Sequence, residues 1–205
     1  MNITDLGNFL RDVKIVAVVR KVPEEVVGDV VSALVQGGIS ALEITLDSAG
    51  AIKTIASLRE RFGDKVAIGA GTVLTTAQLN EAVKAGAEFL VGPHFDAQLV
   101  ERARTLETFM IPGVLTPTEI QNARAVGAEV VKVFPAGTMG PSYIKDLLGP
   151  FGDLKMMVTG GISEKMRRTF LRLVRWPSGW EVLFSRGQTF KITTGTRLPS
   201  VSKAY

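Results

Sequence analysis

Cysteine is absent from this chain of 205 residues, and histidine occurs once. Without cysteine the chain can form no disulfide, no thiolate metal site and no cysteine nucleophile. The single histidine, His94, has no acidic partner at the spacing of a metal site. We therefore interpret His94 as a loop residue and expect no bound metal.

Long apolar runs are also missing. No stretch reaches the roughly 18 apolar residues of a membrane-spanning helix, and residues 1–14 (MNITDLGNFLRDVK) lack the apolar centre of a signal peptide. We therefore expect no signal peptide, no contact with a membrane and a cytoplasmic location. With 46% hydrophobic and 21% charged residues, the composition is typical of one soluble globular domain.

Basic residues outnumber acidic ones by 24 to 20, but the excess lies at the C-terminal end. Residues 165–205 contain nine lysines and arginines and a single acid, Glu181, which leaves 15 basic and 19 acidic residues in positions 1–164. This main part has no basic stripe with interleaved aromatic residues, so we expect no nucleic acid partner.

Short β-branched runs alternate with amphipathic segments along residues 13–162. A strand, helix, strand order at a spacing of about 20–25 residues predicts a parallel sheet with helical crossovers. Seven repeats of this unit, without a G-x-G-x-x-G turn after the first strand, favour an α/β fold of the (β/α)₈ TIM-barrel type over an open doubly wound sheet. The predicted strands are KIVAVVR (14–20), ALEITL (41–46), KVAIGAGT (65–72), AEFLVGP (87–93), TFMIPG (108–113), AEVVKVFP (128–135) and LKMMVTGG (154–161).

Lys132 lies within one of these apolar runs, where burial would be costly for an ammonium ion. Desolvation lowers the pKa of a buried lysine, and the neutral amine is the nucleophile that forms a Schiff base with a carbonyl. The alternative is a lysine on an exposed edge strand whose ammonium group reaches into water.

Two further charged residues share this pattern. Because side chains alternate along a strand, the apolar faces of the predicted strands would pack on the helices and leave Arg20, Glu43 and Lys132 pointing into the barrel. Three charges that can neutralise one another at the C-terminal ends of strands favour catalysis. A structural ion pair, or Glu43 and Lys132 on separate solvated edges, remain as alternatives.

Glycine-rich turns end several strands: GAGT (69–72), VGP (91–93) and TGG (159–161). Backbone amides at such turns, beside a helix N-terminus, can hold a phosphate. The loop after the seventh strand is a frequent phosphate site in barrels.

The motifs together resemble the bacterial 2-keto-3-deoxy-6-phosphogluconate aldolase family, which also cleaves 4-hydroxy-2-oxoglutarate. In chain order they are IVAVVR, ALEITL, IGAGTV, FLVGPHF, IPGVLTPTE, VKVFPAG and MVTGGIS, covering roughly residues 13–164. The resemblance implies a class I aldolase that needs neither metal nor cofactor and assembles as a homotrimer. Its substrate would be a small 2-keto acid, cleaved to pyruvate and to glyceraldehyde 3-phosphate or glyoxylate.

The resemblance also implies roles for individual residues. Lys132 would form the Schiff base and Glu43 would act as general acid and base. The implied substrate contacts are Arg20 (to the carboxylate), Thr72, Pro93 and Phe134, with Thr159, Gly160 and Gly161 near the substrate and its phosphate.

This chain departs from the family pattern in two places. Many members carry arginine four residues after the glutamate, where Asp47 stands here. After Glu164 the family continues with a pattern like NAADFLKAGAVAVGVGSALF, whereas this chain reads KMRRTFLRLVRWPSGWEVLF. Under the standard genetic code, one nucleotide sequence can encode both, in two reading frames one base apart.

We therefore interpret residues 1–164 as the aldolase barrel core and residues 165–205 as an atypical, frameshifted segment. The eighth strand and last helix are expected to be aberrant, with FLRLV helical and EVLF as a substitute strand. Low stability and reduced activity would follow. The alternative function is a catalytically impaired, aldolase-like barrel with only a structural or vestigial role.

Overall fold

Strands and helices alternate along the chain, as the sequence predicts. The computed structural model describes residues 13, 15–163, 166, 169, 170 and 180–181. The strands are β1 (Val16–Val19), β2 (Ala41–Thr45), β3 (Ala67–Gly71), β4 (Phe89–Val91), β5 (Phe109–Ile111), β6 (Gly113–Val114), β7 (Val131–Val133), β8 (Met156–Val158) and β9 (Trp180–Glu181). The helices are α1 (Glu24–Gln36), α2 (Ala51–Phe62), α3 (Thr76–Lys84), α4 (Ala97–Thr105), α5 (Pro117–Ala125) and α6 (Ala136–Leu148), with a short 3₁₀ helix at Gly63–Lys65.

All strand pairs are parallel, and neighbouring strands follow one another in the chain. One sheet has the order β1-β2-β3-β4-β5 and the other the order β6-β7-β8-β9. The predicted strand TFMIPG is divided into β5 and β6 at Pro112, because proline has no N–H to donate. Its carbonyl still accepts the Lys132 N–H at 2.8 Å. The two sheets are therefore joined through one stretch of chain. Eight strand positions, with a helix in each connection from β1 to β8, form the predicted (β/α)₈ architecture.

The eighth strand position is occupied by β9. Its backbone pairs with β8 through Met157↔Trp180 and Val158↔Glu181. Residues 182–184 of the predicted EVLF strand, residues 171–174 of the predicted FLRLV helix and most of the rest of the atypical segment lie outside the described residues.

Two apolar layers confirm the predicted alternation of side chains. One layer fills the space enclosed by the strands, and the other lies between strands and helices. The inner layer consists of Val13, Val16, Val18, Ala41, Ala67, Phe89, Val91, Phe109, Ile111, Val130 and Met157. The intervening strand residues, such as Ala17, Leu42 and Val133, pack in the outer layer against the helices. Glu43 lies two residues after Ala41, and Lys132 two residues after Val130, so both side chains share the inner face that the sequence predicts.

Side-chain caps fix where three of the helices, α3, α4 and α5, begin after their loops. Thr75 Oγ1 accepts the Gln78 N–H at 3.2 Å, and Asp96 Oδ1 accepts the Gln98 N–H at 2.8 Å. Thr116 caps α5 in a reciprocal arrangement with a glutamate of the first turn.

In the part of the chain that is described, no helix has the length and apolarity to cross a membrane.

Candidate active site

Lys132 is the central residue of β7 and is buried, with 5% of its surface exposed. Its strand lies between β6 and β8, in register with Gly113 and Met157. The alternative of an exposed edge strand is therefore wrong. Burial lowers the pKa of the Lys132 amine, and this effect exceeds the opposing attraction of Glu43. The side chain can therefore lose its proton more readily than an ordinary lysine.

Glu43 occupies the centre of β2 and is also buried, with 2% of its surface exposed. Its strand neighbours in register are Val18 and Gly69. Burial raises the pKa of the carboxyl group, while the positive charges of Lys132 and then Arg20 act in the opposite direction. Within the described part of the chain, Glu43 Oε2 has no hydrogen-bond partner. A buried oxygen without a partner is costly, and this one is free to bind a ligand atom or exchange a proton.

The two buried groups influence each other's charge without forming a direct ion pair. No nitrogen–oxygen contact within 4.0 Å joins Lys132 to Glu43 among the described residues. This separation argues against a structural ion pair, and the burial of both side chains contradicts the alternative of two solvated edges. Both groups are therefore buried and influence each other's charge without a direct ion pair.

Gly71 provides the room for the glutamate. A Cβ atom at this position would lie 2.6 Å from Glu43 Oε1 and 2.7 Å from its Cδ. Any side chain there would displace the carboxyl group. The sequence analysis missed this role, although the GAGT motif marks the position.

Arg20 follows β1 and lies at the mouth of the barrel, the end where the carboxyl ends of the strands meet. Its Nη2 donates a hydrogen bond to Thr72 Oγ1 at 2.7 Å, and its Nη1 lies 3.5 Å from Asp47 Oδ2. Thr72 has a left-handed backbone, with φ of 58°, which is costly for a β-branched residue. The Thr72 hydroxyl is thus held at the mouth, in contact with Arg20, the residue expected to bind the substrate carboxylate.

Pro93 follows β4, and Phe134 directly follows β7, the strand of Lys132. The backbone of Pro93 approaches Gly113 so closely that a Cβ there would overlap it, and Gly113 is the strand partner of Lys132. The Lys132 Nζ lies 5.3 Å from the centre of the Phe134 ring. Phe134 is 36% exposed and therefore lies at the open edge of the site.

Thr159, Gly160 and Gly161 follow β8 and are tied to the start of α6. The Ala136 N–H donates to the Thr159 carbonyl and the Gly137 N–H to the Gly160 carbonyl, each at 2.7 Å. Both glycines have left-handed φ values, 98° and 69°. Thr159 is fully buried, and its Oγ1 has no partner in the described residues. This is a second unsatisfied polar atom at the same end of the barrel.

Every sequence-predicted site residue therefore lies on a strand that opens to the mouth, or in the loop that follows one.

His94 is exposed in the loop after β4, where its carbonyl accepts the Gly113 N–H at 3.1 Å. Among the described residues, no three side chains of histidine, aspartate or glutamate cluster in a way that could hold a metal ion.

Comparison with known proteins shows that most of the chain is similar to one family of enzymes. The model of the family described as "Aldolase: KDPG and KHG aldolase" matches residues 6–179. A probable 2-dehydro-3-deoxy-6-phosphogalactonate aldolase of Rhizobium meliloti (strain 1021) is 37% identical over 151 residues, which cover 73% of this chain and 71% of that protein. A 2-dehydro-3-deoxy-phosphogluconate aldolase of Haemophilus influenzae is 37% identical over 165 residues, covering 80% and 77%.

Solved structures agree with this similarity. A KDPG aldolase from Legionella pneumophila, with pyruvate captured at low pH as a covalent carbinolamine intermediate, superposes with a TM-score of 0.78. It is 31% identical, and the match covers 86% of this chain and 85% of that one. A native KDPGal structure superposes with a TM-score of 0.79 at 28% identity, covering 87% and 88%.

Proposed function

Because the chain belongs to the KDPG and KHG aldolase family, we propose that it is a class I aldolase that cleaves a 4-hydroxy-2-keto acid through a Schiff base on Lys132. The observation that carries this proposal is the electrostatic influence between buried Lys132 and buried Glu43, whose Oε2 has no hydrogen-bond partner among the described residues. Burial favours the neutral form of each group, and these are the forms that attack a ketone and donate a proton.

The proposed reaction begins when the neutral Lys132 amine adds to the C2 ketone and forms a carbinolamine. Glu43 gives a proton to the departing hydroxyl, which leaves as water, and a protonated imine remains. A base, with Glu43 now ionised as the candidate, takes the proton of the C4 hydroxyl. The C3–C4 bond breaks, its electron pair moves into the imine, and an aldehyde leaves. Protonation of the resulting enamine at C3 and hydrolysis then release pyruvate and restore the amine.

The remaining residues would bind and orient the substrate. We assign the substrate carboxylate to Arg20, supported by its position at the mouth, with Thr72, Pro93 and Phe134 lining the same space. Thr159, Gly160 and Gly161 would contact the substrate and its phosphate. The unpartnered Thr159 hydroxyl supports this assignment, as do two glycines whose backbone a ligand can approach closely. The proposed substrates are 2-keto-3-deoxy-6-phosphogluconate, which would yield glyceraldehyde 3-phosphate, and 4-hydroxy-2-oxoglutarate, which would yield glyoxylate.

Borohydride trapping tests the proposed chemistry directly. The protein is incubated with pyruvate, reduced with sodium borohydride, digested and examined by mass spectrometry. We expect one pyruvate-derived adduct on the peptide that contains Lys132, and none in Lys132→Met. Lys145→Met, which removes an exposed lysine of α6, is the matched control and should label like the wild type. Labelling elsewhere, or labelling that persists in Lys132→Met, would refute the assignment.

The second candidate, an impaired barrel without a catalytic role, is favoured by the sequence of residues 165–205. The absence of any pyruvate adduct in a folded protein would support it. We propose that this segment arose from a frameshift near Glu164 and that restoring the frame raises both stability and labelling rate. Sequencing the encoding DNA tests the origin, since codons that yield an unrelated sequence in the shifted frame would exclude it.

We further propose that the chain acts in the cytoplasm as a homotrimer, on the basis of the family pattern in residues 13–164. Sedimentation equilibrium distinguishes a trimer from a monomer of 22.0 kDa. A mass that stays at one protomer over a range of concentrations would contradict the trimer.

A further inference from the structure

Asp47 lies next to the cation that the proposed function assigns to the substrate carboxylate. It occupies the loop between β2 and α2, and its Oδ2 lies 3.5 Å from Arg20 Nη1. The proposed mechanism gives it no role. The mouth of this barrel therefore presents an arginine that already faces a carboxylate of its own chain.

The two partners of Arg20 act differently on its guanidinium group. Thr72 Oγ1 accepts a hydrogen bond at 2.7 Å, which fixes a direction. The contact with Asp47 is longer than a good charge-assisted hydrogen bond, which measures about 2.7–2.9 Å. Thr72 thus positions Arg20, whereas Asp47 contributes mainly negative charge.

Contacts of a neighbouring residue hold the loop that carries Asp47 independently of Arg20. The next residue, Ser48, accepts the Lys21 N–H at 2.8 Å, and its hydroxyl lies 3.1 Å from that of Thr45. The loop is therefore held against β1 and β2 by its neighbours. The backbone of Asp47 thus stays near Arg20, and a carboxylate so placed repels an anion that binds to Arg20.

We propose that Asp47 is a specificity-determining residue that competes with the substrate's anionic group for Arg20 and thereby weakens the binding of anionic 2-keto acids at the mouth. This inference rests on the proposed function. A ligand that places one carboxylate at the mouth is still attracted to Arg20. A ligand that places a second negative charge at the mouth binds less favourably because Asp47 repels it. The side chains of Arg20 and Asp47 are 46% and 33% exposed, so water screens the competition. We expect an effect of about two- to fivefold on the dissociation constant.

Oxamate is a suitable probe because it carries the carboxylate of pyruvate but has an amide where the ketone would be, so it forms no Schiff base. Its dissociation constant is measured by isothermal titration calorimetry for the wild type, Asp47→Asn, Arg20→Gln and the double variant. Asp47→Asn should bind oxamate about two- to fivefold more tightly. The gain should disappear in the Arg20→Gln background and shrink in high salt. Asp29→Asn, the same charge change at an exposed site of α1, should bind like the wild type.

Three results would overturn the inference: oxamate binding in Asp47→Asn that is unchanged or weaker, a gain that persists without Arg20, or no binding by either the wild type or Asp47→Asn. Circular dichroism and thermal melts establish that each variant is folded. Because oxamate binding needs no imine, its outcome is independent of the trapping experiment. A missing pyruvate adduct refutes the aldolase chemistry, whereas an unchanged oxamate affinity refutes only the role of Asp47.

Discussion

Gly71→Ala gives the sharpest test of how the barrel holds its glutamate. The new Cβ would lie 2.6 Å from Glu43 Oε1, 2.7 Å from Cδ and 3.2 Å from Cγ. Non-bonded atoms of this kind normally stay about 3.5 Å apart, so the carboxyl group must move by roughly 1 Å. With only 2% of its surface exposed, Glu43 has little free space into which it can turn.

A displacement of this size should slow the proposed chemistry far more than it weakens the fold. Misplacing a catalytic group by 1 Å costs about 100-fold in rate, whereas overpacking a core by one methyl group costs about 1–3 kcal/mol. We therefore expect Gly71→Ala to form the trapped pyruvate adduct about 100-fold more slowly than the wild type while it still unfolds cooperatively. The assay is the rate of borohydride-trapped label on Lys132, with urea unfolding measured in parallel.

Gly69→Ala is the matched control, since Gly69 lies two residues earlier on the same face of β3. Its new Cβ would lie 2.5–2.7 Å from three ring atoms of Phe89 instead of from a carboxyl group. It should destabilise the core to a similar extent and leave the labelling rate much closer to that of the wild type. Equal slowing in both variants, or a normal rate in Gly71→Ala, would refute the reasoning.

Further expectations concern the ionisable groups and Arg20. Burial lowers the pKa of Lys132, so pyruvate labelling should reach half of its maximum at a pH below 10.5, the ordinary value for lysine; a midpoint at 10.5 or above contradicts this. Burial raises the pKa of Glu43, so the stability that its protonated form provides is complete below pH 4.5 and is lost as the pH rises through the folded-state value. Glu43→Gln stays neutral and should gain about 1–3 kcal/mol over the wild type in urea unfolding at pH 8, and less at pH 4; the reverse order contradicts the assignment. Thr72→Val removes the hydroxyl that positions Arg20, so oxamate should bind more weakly with little change in stability, and an unchanged affinity contradicts it.

Local sequence rules were sufficient to predict the strands and the direction of their side chains. Alternation in ALEITL and AEVVKVFP places Glu43 and Lys132 inside the barrel because their neighbours Leu42, Val131 and Val133 are apolar and need the helix layer. This pattern depends only on residues adjacent in the chain. It can therefore be recognised without knowledge of the tertiary structure.

Contacts between distant loops could not be predicted in this way. The ion pair of Arg20 with Asp47 joins residues that follow different strands, and the sequence indicates only that both loops open at the mouth. The space that Gly71 leaves for Glu43 likewise depends on the register of β2 against β3. The interruption at Pro112 is a local effect, and the missing N–H of proline could have predicted it.

Several features that cost this fold stability lie at one end of it. Glu43 and Thr159 each bury an oxygen that has no partner among the described residues, Lys132 buries an amine, and Thr72 has a left-handed backbone. Each is unfavourable for folding alone. Glu43 and Lys132 lie on β2 and β7, and Thr72 and Thr159 directly follow β3 and β8, four strands that share one mouth. A ligand with a ketone and polar groups would relieve several of these costs at once, which is the physical reason to expect that binding of the 2-keto acid stabilises the protein.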